Sequence, residues 1–491
     1  MCRGRWQALT VDATDLCFTP AVELAELIRR RALSPVEITR AVLERIERLN
    51  SRLGAYVLVH AERALGEARA AEQAVMAGLA LGPLHGVPVS IKDNLWTAGE
   101  RTTYGSRLMA EFVAPEDAPS VAGLRAAGAI LIGRTNLPEF AWRGSTDNPL
   151  FGEARNPWDL TRTPGGSTGG GAAAVAAGLT PLALGSDGAG SIRIPASFCG
   201  LVGHKPTFGR VPMYPAAGGN ELVAHVCPLA RTVRDVALMM NAIARHDRRD
   251  AFALPDDGAD YLAACRESLP GARGALARSG RTPVRIAWSP DLGFAPVERE
   301  TRDIAEAAAR SFAELGLTVE EASPDLGDPS QILKVLYGGA QAGAHAARSP
   351  EQKARMDPEL VRYAEASAGL SVVDYLRAVA ARQALTDALR RFFEHYDLLL
   401  TPTLCLPAFP LGLVGPREVA GREVTHLGWT LCYPFNYSGQ PAVSVPAGWT
   451  ASGLPVGLQI VGRRLEDALV LRAAAALEAV RPWASCRPPE P

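Results

Sequence analysis

Apolar positions spaced three or four residues apart predict helices in the first part of the chain. Thr19 marks the start of one helix, and "SPVE" starts the next, with Ser34 as N-cap, Pro35 at the first helical position and Glu37 completing a capping box. The apolar residues that then share one face are Ile38, Val42, Leu43, Ile46 and Leu49. A third helix, rich in alanine and glutamate, is predicted over residues 61–76.

Short apolar runs alternate with helical patterns from about residue 80 onward. The runs "VPVSIKDNL", "AILIGRTNL" and "PLALGSD" predict buried strands, the first of which ends at Lys92 and Asp93. Helical spacing is found in "RTVRDVALMMNAIA" and in residues 299–315 and 465–480. Later strands are predicted in "TPVRIAWSP", "DLLLTPT", "PAVSVPAG" and "GLPVGLQIVG". This alternation is typical of an α/β fold.

The organisation of the chain is predicted to be one large domain over residues 1–491, although its length alone would suggest two or three domains. The late strands are expected to rejoin the early sheet. The predicted divisions are N-terminal helices over residues 1–78, a core over 79–245, a variable helical segment over 246–395, and strands with a helix over 396–491 that complete the core.

Composition and charge narrow the class of protein. Hydrophobic residues make up 47% of the chain, and 51 lysines and arginines balance 52 aspartates and glutamates. This balance favours a small-molecule substrate over nucleic acid or a membrane surface. The N-terminus lacks a signal-peptide core and no apolar run is long enough for a membrane span, so we expect a cytoplasmic protein. Eight scattered cysteines without a C-x-x-C pair suit reduced thiols, and we expect no metal and no cofactor.

Two glycine-rich clusters are the most unusual local feature. "PGGSTGGGAAAVAAG" begins at Pro164, and "GSDGAGSIRIPAS" begins at Gly185. "GGSTG" could be a G-x-S-x-G nucleophile elbow with Ser167 as nucleophile, but the preceding "NPWDLTRTP" does not predict the strand that an elbow requires. A phosphate-binding loop would need a lysine that this cluster lacks. A turn that packs a helix against a strand would explain one cluster but not both.

A lysine at the end of an apolar strand allows a different chemistry. Serine attacks a carbonyl only when a base removes its proton, and lysine can replace histidine in that role. Lysine is a base only when it is neutral, and burial favours its neutral form. Lys92 ends such a strand in "VSIKDN", although a lysine in this position is, taken alone, more often a surface residue.

Taken together, these segments resemble the amidase signature family of Ser-cisSer-Lys hydrolases. The resemblance lies in "VSIKDN", "GGSTGGGAAAVAAG" and "LGSDGAGSIRIPASFCGLVGHKPT", and extends to "GRTNLPEF", "NPLFGEARNPW", "PLARTVRD", "LLLTPT", "GQPAVSVPAG" and "GLPVGLQIVG". It covers most of residues 80–245 and 395–475. The fold that it implies is a single large α/β domain, with a central twisted mixed β-sheet covered by helices on both faces.

The resemblance also assigns roles to individual residues. It implies that Ser191 is the nucleophile, that Ser167, which follows a cis peptide bond, is the bridging serine, and that Lys92 is the base. The implied oxyanion hole consists of the backbone N–H groups of Gly188, Ala189, Gly190 and Ser191. Residues implied to support the site are Thr168, Asp187 and Arg193, and those aligned with the substrate pocket are Phe140, Ala141 and Trp142.

Three positions depart from the family pattern. Thr168 stands where a second serine is usual, and we expect little loss because a hydroxyl is kept. Ala189 stands where glycine is common, and its methyl group excludes backbone conformations that only glycine adopts. His204 replaces a commoner leucine and is expected to be a structural histidine.

The resemblance implies an amidase, a monomer or homodimer, that cleaves the C–N bond of a small apolar or aryl-containing amide through an acyl-enzyme. Esters and carbamates place the same carbonyl over the same donors and are possible further substrates. Three alternatives stay open: an A-type amidotransferase subunit that passes ammonia to a partner, a Ser-His-Asp esterase that uses Ser167, and a catalytically silent binding protein. No basic patch or appended tail supports the first of these.

Overall fold

A mixed sheet of eleven strands forms the centre of the described part of the protein. The computed structural model describes residues 12–216, 222–272 and 283–490. The strand order across the sheet is β1-β3-β2-β6-β8-β7-β14-β15-β11-β9-β10. The bounds of the strands in this sheet are β1 Tyr56–Val59, β2 Pro88–Lys92, β3 Ile130–Thr135, β6 Leu182–Asp187, β7 Val202–Lys205, β8 His225–Ala230, β9 Ile286–Trp288, β10 Val319–Glu321, β11 Leu398–Pro402, β14 Ala442–Trp449 and β15 Pro455–Gly462.

Two short hairpins lie outside this sheet, and helices flank it. The hairpins pair β4 Asp147–Asn148 with β5 Gly152–Glu153, and β12 Glu418–Val419 with β13 Arg422–Glu423. The helices are α1 Ala13–Phe18, α2 Ala21–Arg29, α3 Pro35–Leu53, α4 Ala61–Met76, α5 Pro119–Ala126, α6 Gly169–Ala176, α7 Arg193–Cys199, α8 Val233–Ile243, α9 Tyr261–Ala264, α10 Arg299–Arg310, α11 Ser330–Ile332, α12 Gly338–His345, α13 Pro350–Lys353, α14 Pro358–Ser367, α15 Val372–His395, α16 Pro434–Tyr437 and α17 Asp467–Val480.

The helices predicted from local signals in the N-terminal sequence are present in the structure. Ser34 caps α3, accepting a hydrogen bond from a backbone N–H while Glu37 bonds back to the Ser34 N–H, so the capping box is confirmed. Helix α4 spans the predicted range. Gly54 ends α3 in the left-handed conformation that glycine adopts without strain. Buried apolar side chains of α3 then pack into the main core.

The late strands complete the early sheet, as the sequence predicts. Strand β14 pairs with β7 on one side and with β15 on the other, and β11 follows β15. The single α/β domain with a mixed, helix-flanked sheet is therefore confirmed. Residues 246–395 are not helical throughout, because β9 and β10 within them extend the sheet beyond β11. The four divisions of the chain otherwise stay predictions.

Parallel strand pairing brings the candidate catalytic residues together at the carboxyl ends of neighbouring strands. Strand β2 lies between β3 and β6 and is parallel to both, so the carboxyl ends of these strands lie together. Lys92 is the last residue of β2, and Ser186 and Asp187 end β6. All residues of both strands are buried, as expected for parallel strands covered on both faces. Among the described helices, none is long and apolar enough to cross a membrane.

Candidate active site

Lys92 is fully buried and contacts two hydroxyl groups. Its Nζ atom lies 2.7 Å from Ser167 Oγ and 2.9 Å from Ser186 Oγ. The side-chain amide of Asn94 also donates a hydrogen bond to Ser186 Oγ, at 3.2 Å. Ser186 was not predicted as a site residue, although its place beside Asp187 at the end of a predicted strand could have indicated it. The Lys92–Ser167 pair that the sequence predicts is therefore brought together.

Burial makes Lys92 a potential base near neutral pH. Removal from water disfavours the ammonium form and lowers the pKa of Lys92 to about 7, against a smaller opposing effect of the Asp187 carboxylate. The neutral form is therefore accessible near neutral pH. Neutral lysine has a lone pair that accepts a proton, which an ammonium group lacks. The position of Lys92 at the end of a buried strand thus supplies the electrostatic condition for base chemistry.

Close backbone approach explains most of the first glycine cluster. A Cβ atom at Gly170 would lie 2.4 Å from the backbone nitrogen of Asn136 and 2.5 Å from the carbonyl oxygen of Ala55. Helix α6 therefore begins in direct contact with neighbouring backbone, and its residues are all buried. The peptide bond between Gly166 and Ser167 is cis, as the resemblance implies. These glycines let the Ser167 turn pack closely against neighbouring segments, as where Gly166 lies beside the Ser145 carbonyl group.

Ser191 lies on the adjoining loop and reaches open space. The two loops are linked because the Thr168 N–H donates to the Ser191 carbonyl at 3.1 Å. Ser167 is only 1% exposed, whereas Ser191 is half-buried, and both line the same cavity. The hydroxyl group of Thr168 donates to the Ser186 carbonyl, so the threonine keeps a polar role.

The predicted oxyanion hole needs one correction. The Gly190 N–H donates to Asp187 Oδ1 at 2.7 Å, so it faces this carboxylate and is not available to a substrate oxygen. The N–H groups of Gly188, Ala189 and Ser191 have no acceptor among the described residues. Gly190 has a φ of 126°, which only glycine adopts readily, whereas Ala189 has no positive φ. The sequence could not separate these amides, because their directions depend on the loop conformation.

Asp187 and Arg193 form the buried pair that the resemblance implies. The guanidinium donates to both carboxylate oxygens at 2.9 Å, and both side chains are fully buried. Arg193 also donates to the Asn436 and Gln459 side chains. Burial would raise the pKa of Asp187, but Arg193 and Asn436 outweigh it and hold that pKa well below its usual range. The carboxylate stays charged and fixes the N–H groups on both sides of Ser191, since Ile192 also donates to it.

The cavity above the serines has a volume of about 290 Å³ and an aromatic wall. Phe140, Ala141 and Trp142 line it, as aligned from the sequence. The Trp142 side chain is buried and stacks on His426, with ring centroids 5.2 Å apart. Lining residues that the sequence analysis missed are Asn94, Tyr104, Tyr214, Tyr337, Gln341, His345 and Arg348. Several of these lie on or near α12, and no local signal connects that helix with the serines.

In the described ranges, no histidine forms a hydrogen bond with Ser167 or Ser191. His204 is buried beside Asp467 and does not line the cavity, which fits a structural residue. Neither of its ring nitrogens has a hydrogen-bond partner among the described residues. Within the same ranges, no group of three acidic, histidine or cysteine side chains could hold a metal ion.

The fold and these contacts are those of an α/β enzyme with a buried lysine and paired serine loops. Comparisons with known proteins show which family it belongs to. The Amidase family model matches residues 37–471. The acylamidase of Rhodococcus erythropolis is 39% identical over 96% of this chain and 98% of that protein. The A-type subunit of glutamyl-tRNA(Gln) amidotransferase from Moorella thermoacetica is also 39% identical, over 94% of this chain and 97% of that protein.

Solved structures agree with this assignment. A bacterial aryl acylamidase of the amidase signature family has a TM-score of 0.87 at 31% identity, over 96% of this chain and 99% of that chain. 6-Aminohexanoate cyclic dimer hydrolase in complex with substrate has a TM-score of 0.84 at 31% identity, over the same shares. The chain belongs to the amidase signature family and is a hydrolase of that family.

Proposed function

We propose that this protein is an amidase that cleaves a C–N bond of a small, largely apolar or aryl-containing amide by nucleophilic catalysis. Ser191 is the nucleophile, Ser167 the bridging serine and Lys92 the base. The observation that carries the proposal is the contact of buried Lys92 with Ser167, beside a cavity that Ser191 also lines. Burial supplies the neutral lysine that such a base requires.

Acylation begins with proton transfer along the three side chains. Ser191 Oγ attacks the carbonyl carbon while its proton passes to Ser167, whose own proton passes to the Lys92 lone pair. The carbonyl oxygen becomes negatively charged, and the free N–H groups of Gly188, Ala189 and Ser191 are the available donors for it. One such donor contributes roughly 3–4 kcal/mol to the transition state.

The same three side chains take part in cleavage and in deacylation. Protons move from Lys92 towards the leaving amine during cleavage, and from water towards Lys92 during deacylation. The C–N bond breaks as Ser167 gives a proton to the leaving amine and recovers one from protonated Lys92. A water molecule then attacks the Ser191 ester, losing its proton through Ser167 to Lys92. The bond between Ser191 Oγ and the acyl carbon breaks, and Ser191 recovers its proton as the carboxylic acid leaves. Esters and carbamates would follow the same steps because they present the same carbonyl.

The preference for apolar or aryl groups rests on the cavity wall. Tyr104 and Phe140 lie with ring centroids 6.1 Å apart, and Phe140 and His345 lie 4.8 Å apart. Such a wall suits an aromatic or aliphatic group, which loses contact with water on binding. The similarity to an acylamidase and to an aryl acylamidase agrees with this preference.

The second candidate is an A-type amidotransferase subunit, because relatives with that name match almost the whole chain at similar identity. Such a protein would act only with partner proteins and tRNA. The purified chain alone, given 4-nitroacetanilide and a panel of aryl amides, esters and carbamates, distinguishes the two. We expect release of 4-nitroaniline that is lost in Ser191→Ala. Absence of turnover across the whole panel would overturn the amidase proposal, and activity that appears only with partner proteins would favour the amidotransferase subunit.

A further inference from the structure

We propose that Arg348 binds an anionic group of the substrate, so that the preferred amide carries a carboxylate or similar anion at the end of an apolar or aromatic body. This inference rests on the proposed function, since it concerns selectivity at the same site. The sequence predicts a small apolar or aryl-containing amide, and the inference adds an anionic group to that substrate.

The guanidinium of Arg348 lies on the cavity wall without a carboxylate partner among the described residues. Its central carbon is 5.4 Å from the centroid of the Phe140 ring, and its Nε donates to His345 Nδ1 at 3.2 Å. All three residues line the cavity. Neither terminal nitrogen of Arg348 donates to any residue in the described ranges, and both remain accessible. The face of the guanidinium is therefore supported while its two terminal donors are free.

The lining of the cavity that the structure describes contains cationic side chains but no anionic ones. Its other arginine, Arg143, already forms ion pairs with two carboxylates, Asp147 and Asp357, which do not line the cavity. The described residues that line the cavity include no aspartate or glutamate. Glu139 is the carboxylate nearest in sequence to the wall, but it does not line the cavity and it accepts hydrogen bonds from Ser106 and the Asp357 N–H. Burial raises the pKa of the Glu139 carboxyl group, and Arg348 lies close enough for its charge to oppose that rise, but the two form no ion pair. On the described lining itself, a substrate anion would therefore meet an arginine without an ion-pair partner and no carboxylate.

His345 adds no charge to the lining of the cavity at pH 7. Burial and the nearby Arg348 charge lower the pKa of His345 to about 4, so the imidazole is neutral at pH 7. Its Nδ1 accepts the Arg348 N–H, which fixes the direction in which the rest of the guanidinium points. A guanidinium fixed through Nε presents its terminal N–H groups as a fork, which is the geometry that binds a carboxylate through two hydrogen bonds.

Selectivity within matched pairs of substrates tests the inference. On the acyl side, glutaryl 4-nitroanilide is compared with 5-methylhexanoyl 4-nitroanilide, in which an isopropyl group replaces the carboxylate. On the leaving-group side, N-acetyl-4-aminobenzoate is compared with N-acetyl-4-isopropylaniline. In at least one pair, we expect kcat/KM for the anionic member to exceed that for the neutral member by about tenfold, as for a partly buried bidentate ion pair. The advantage should shrink as salt is added.

Variants of Arg348 test whether this side chain causes the preference for the anionic member of a pair. We expect Arg348→Gln to bring the anionic-to-neutral ratio close to one, Arg348→Lys to keep part of it, and Arg348→Glu to favour substrates with a terminal ammonium. Arg362→Gln is the matched control, because Arg362 pairs with Glu359 on the surface of α14 and does not line the cavity. This control should keep the parent ratio.

The outcomes separate the two proposals. Equal kcat/KM for both members of each pair, or an unchanged ratio in Arg348→Gln, overturns the role of Arg348 while leaving the amidase proposal intact. If the parent enzyme hydrolyses no member of either pair and no substrate of the wider panel, the proposed function itself is wrong and the inference falls with it.

Discussion

Lys92 illustrates how burial of a single residue can create a reactive group. An exposed lysine is almost fully protonated at pH 7, whereas the fully buried Lys92 has a pKa of about 7. The sequence predicts the strand and identifies Lys92 as a candidate base, because an apolar run that ends in lysine is a local pattern. The place of Ser186 at the end of a predicted strand makes it a candidate, but its contact with Lys92 depends on the pairing of β2 with β6, which the sequence does not predict.

Replacement of Lys92 by arginine tests the need for a neutral base. Guanidinium stays protonated in proteins, so Lys92→Arg should be as inactive as Lys92→Ala, with kcat lowered by about 10²- to 10⁴-fold. Parent activity should rise as pH increases through about 7, because Lys92 must lose its proton before it can act. Steady-state kinetics across pH measure both effects. Substantial activity of Lys92→Arg at neutral pH would remove lysine from the mechanism.

Loss of the Ser186 hydroxyl group should change both rate and pH dependence. Ser186 Oγ is an acceptor for Lys92, so in Ser186→Ala the ammonium form loses one hydrogen bond and the pKa of Lys92 should fall. We expect kcat to fall about tenfold with little change in KM, and the midpoint of the pH profile to move to lower pH.

Ser186→Thr keeps the hydroxyl group and is the control for that variant. It should retain the parent pH midpoint. If Ser186→Ala shows the parent midpoint and the parent kcat, the hydroxyl group does not position the lysine.

The glycine-rich start of helix α6 is visible in the sequence, but the reason for these glycines is not. The first glycine cluster stands out in the sequence, and the structure attributes most of it to contact with neighbouring backbone. Helices α3 and α4 are predicted closely because capping and periodicity are local. The approach of α12 to the cavity is not predictable in this way, since amphipathic spacing does not identify the surface against which a helix packs.

A pair of glycine substitutions tests the packing of α6. Gly170→Ala would place Cβ within 2.4 Å of backbone, so we expect a loss of about 1–3 kcal/mol in the free energy of unfolding, typical of overpacking. Gly66→Ala, within α4, has no atom within 4 Å of the added Cβ and should gain roughly 0.5–1 kcal/mol. Chemical denaturation measures both. Equal effects of the two substitutions would contradict the close-approach account.

In the described part of the protein, the main sheet combines strands from early and late regions of the chain. Strands β14, β15 and β11 lie between the early strands and the β9–β10 edge, so no division along the sequence separates two complete sheets. Local patterns predict most of these strands and their return to one domain. Their order across the sheet, and the contribution of residues 246–395 to it, depend on long-range pairing that periodicity does not encode.

This arrangement predicts cooperative loss of structure. On heating, far-UV circular dichroism, protease resistance and amidase activity should all change at one temperature, because removal of the late strands exposes the early ones. Two separated transitions, with activity surviving the first, would show that the chain contains independent units.

A fluorophosphonate probe, which bonds to an activated serine, identifies the residue that carries the acyl group. After digestion, mass spectrometry locates the adduct. We predict that it lies on Ser191, that Ser167→Ala and Lys92→Ala slow labelling but leave it on Ser191, and that Ser191→Ala abolishes it. An adduct on Ser167, prevented by a histidine substitution and not by Lys92→Ala, would contradict the account.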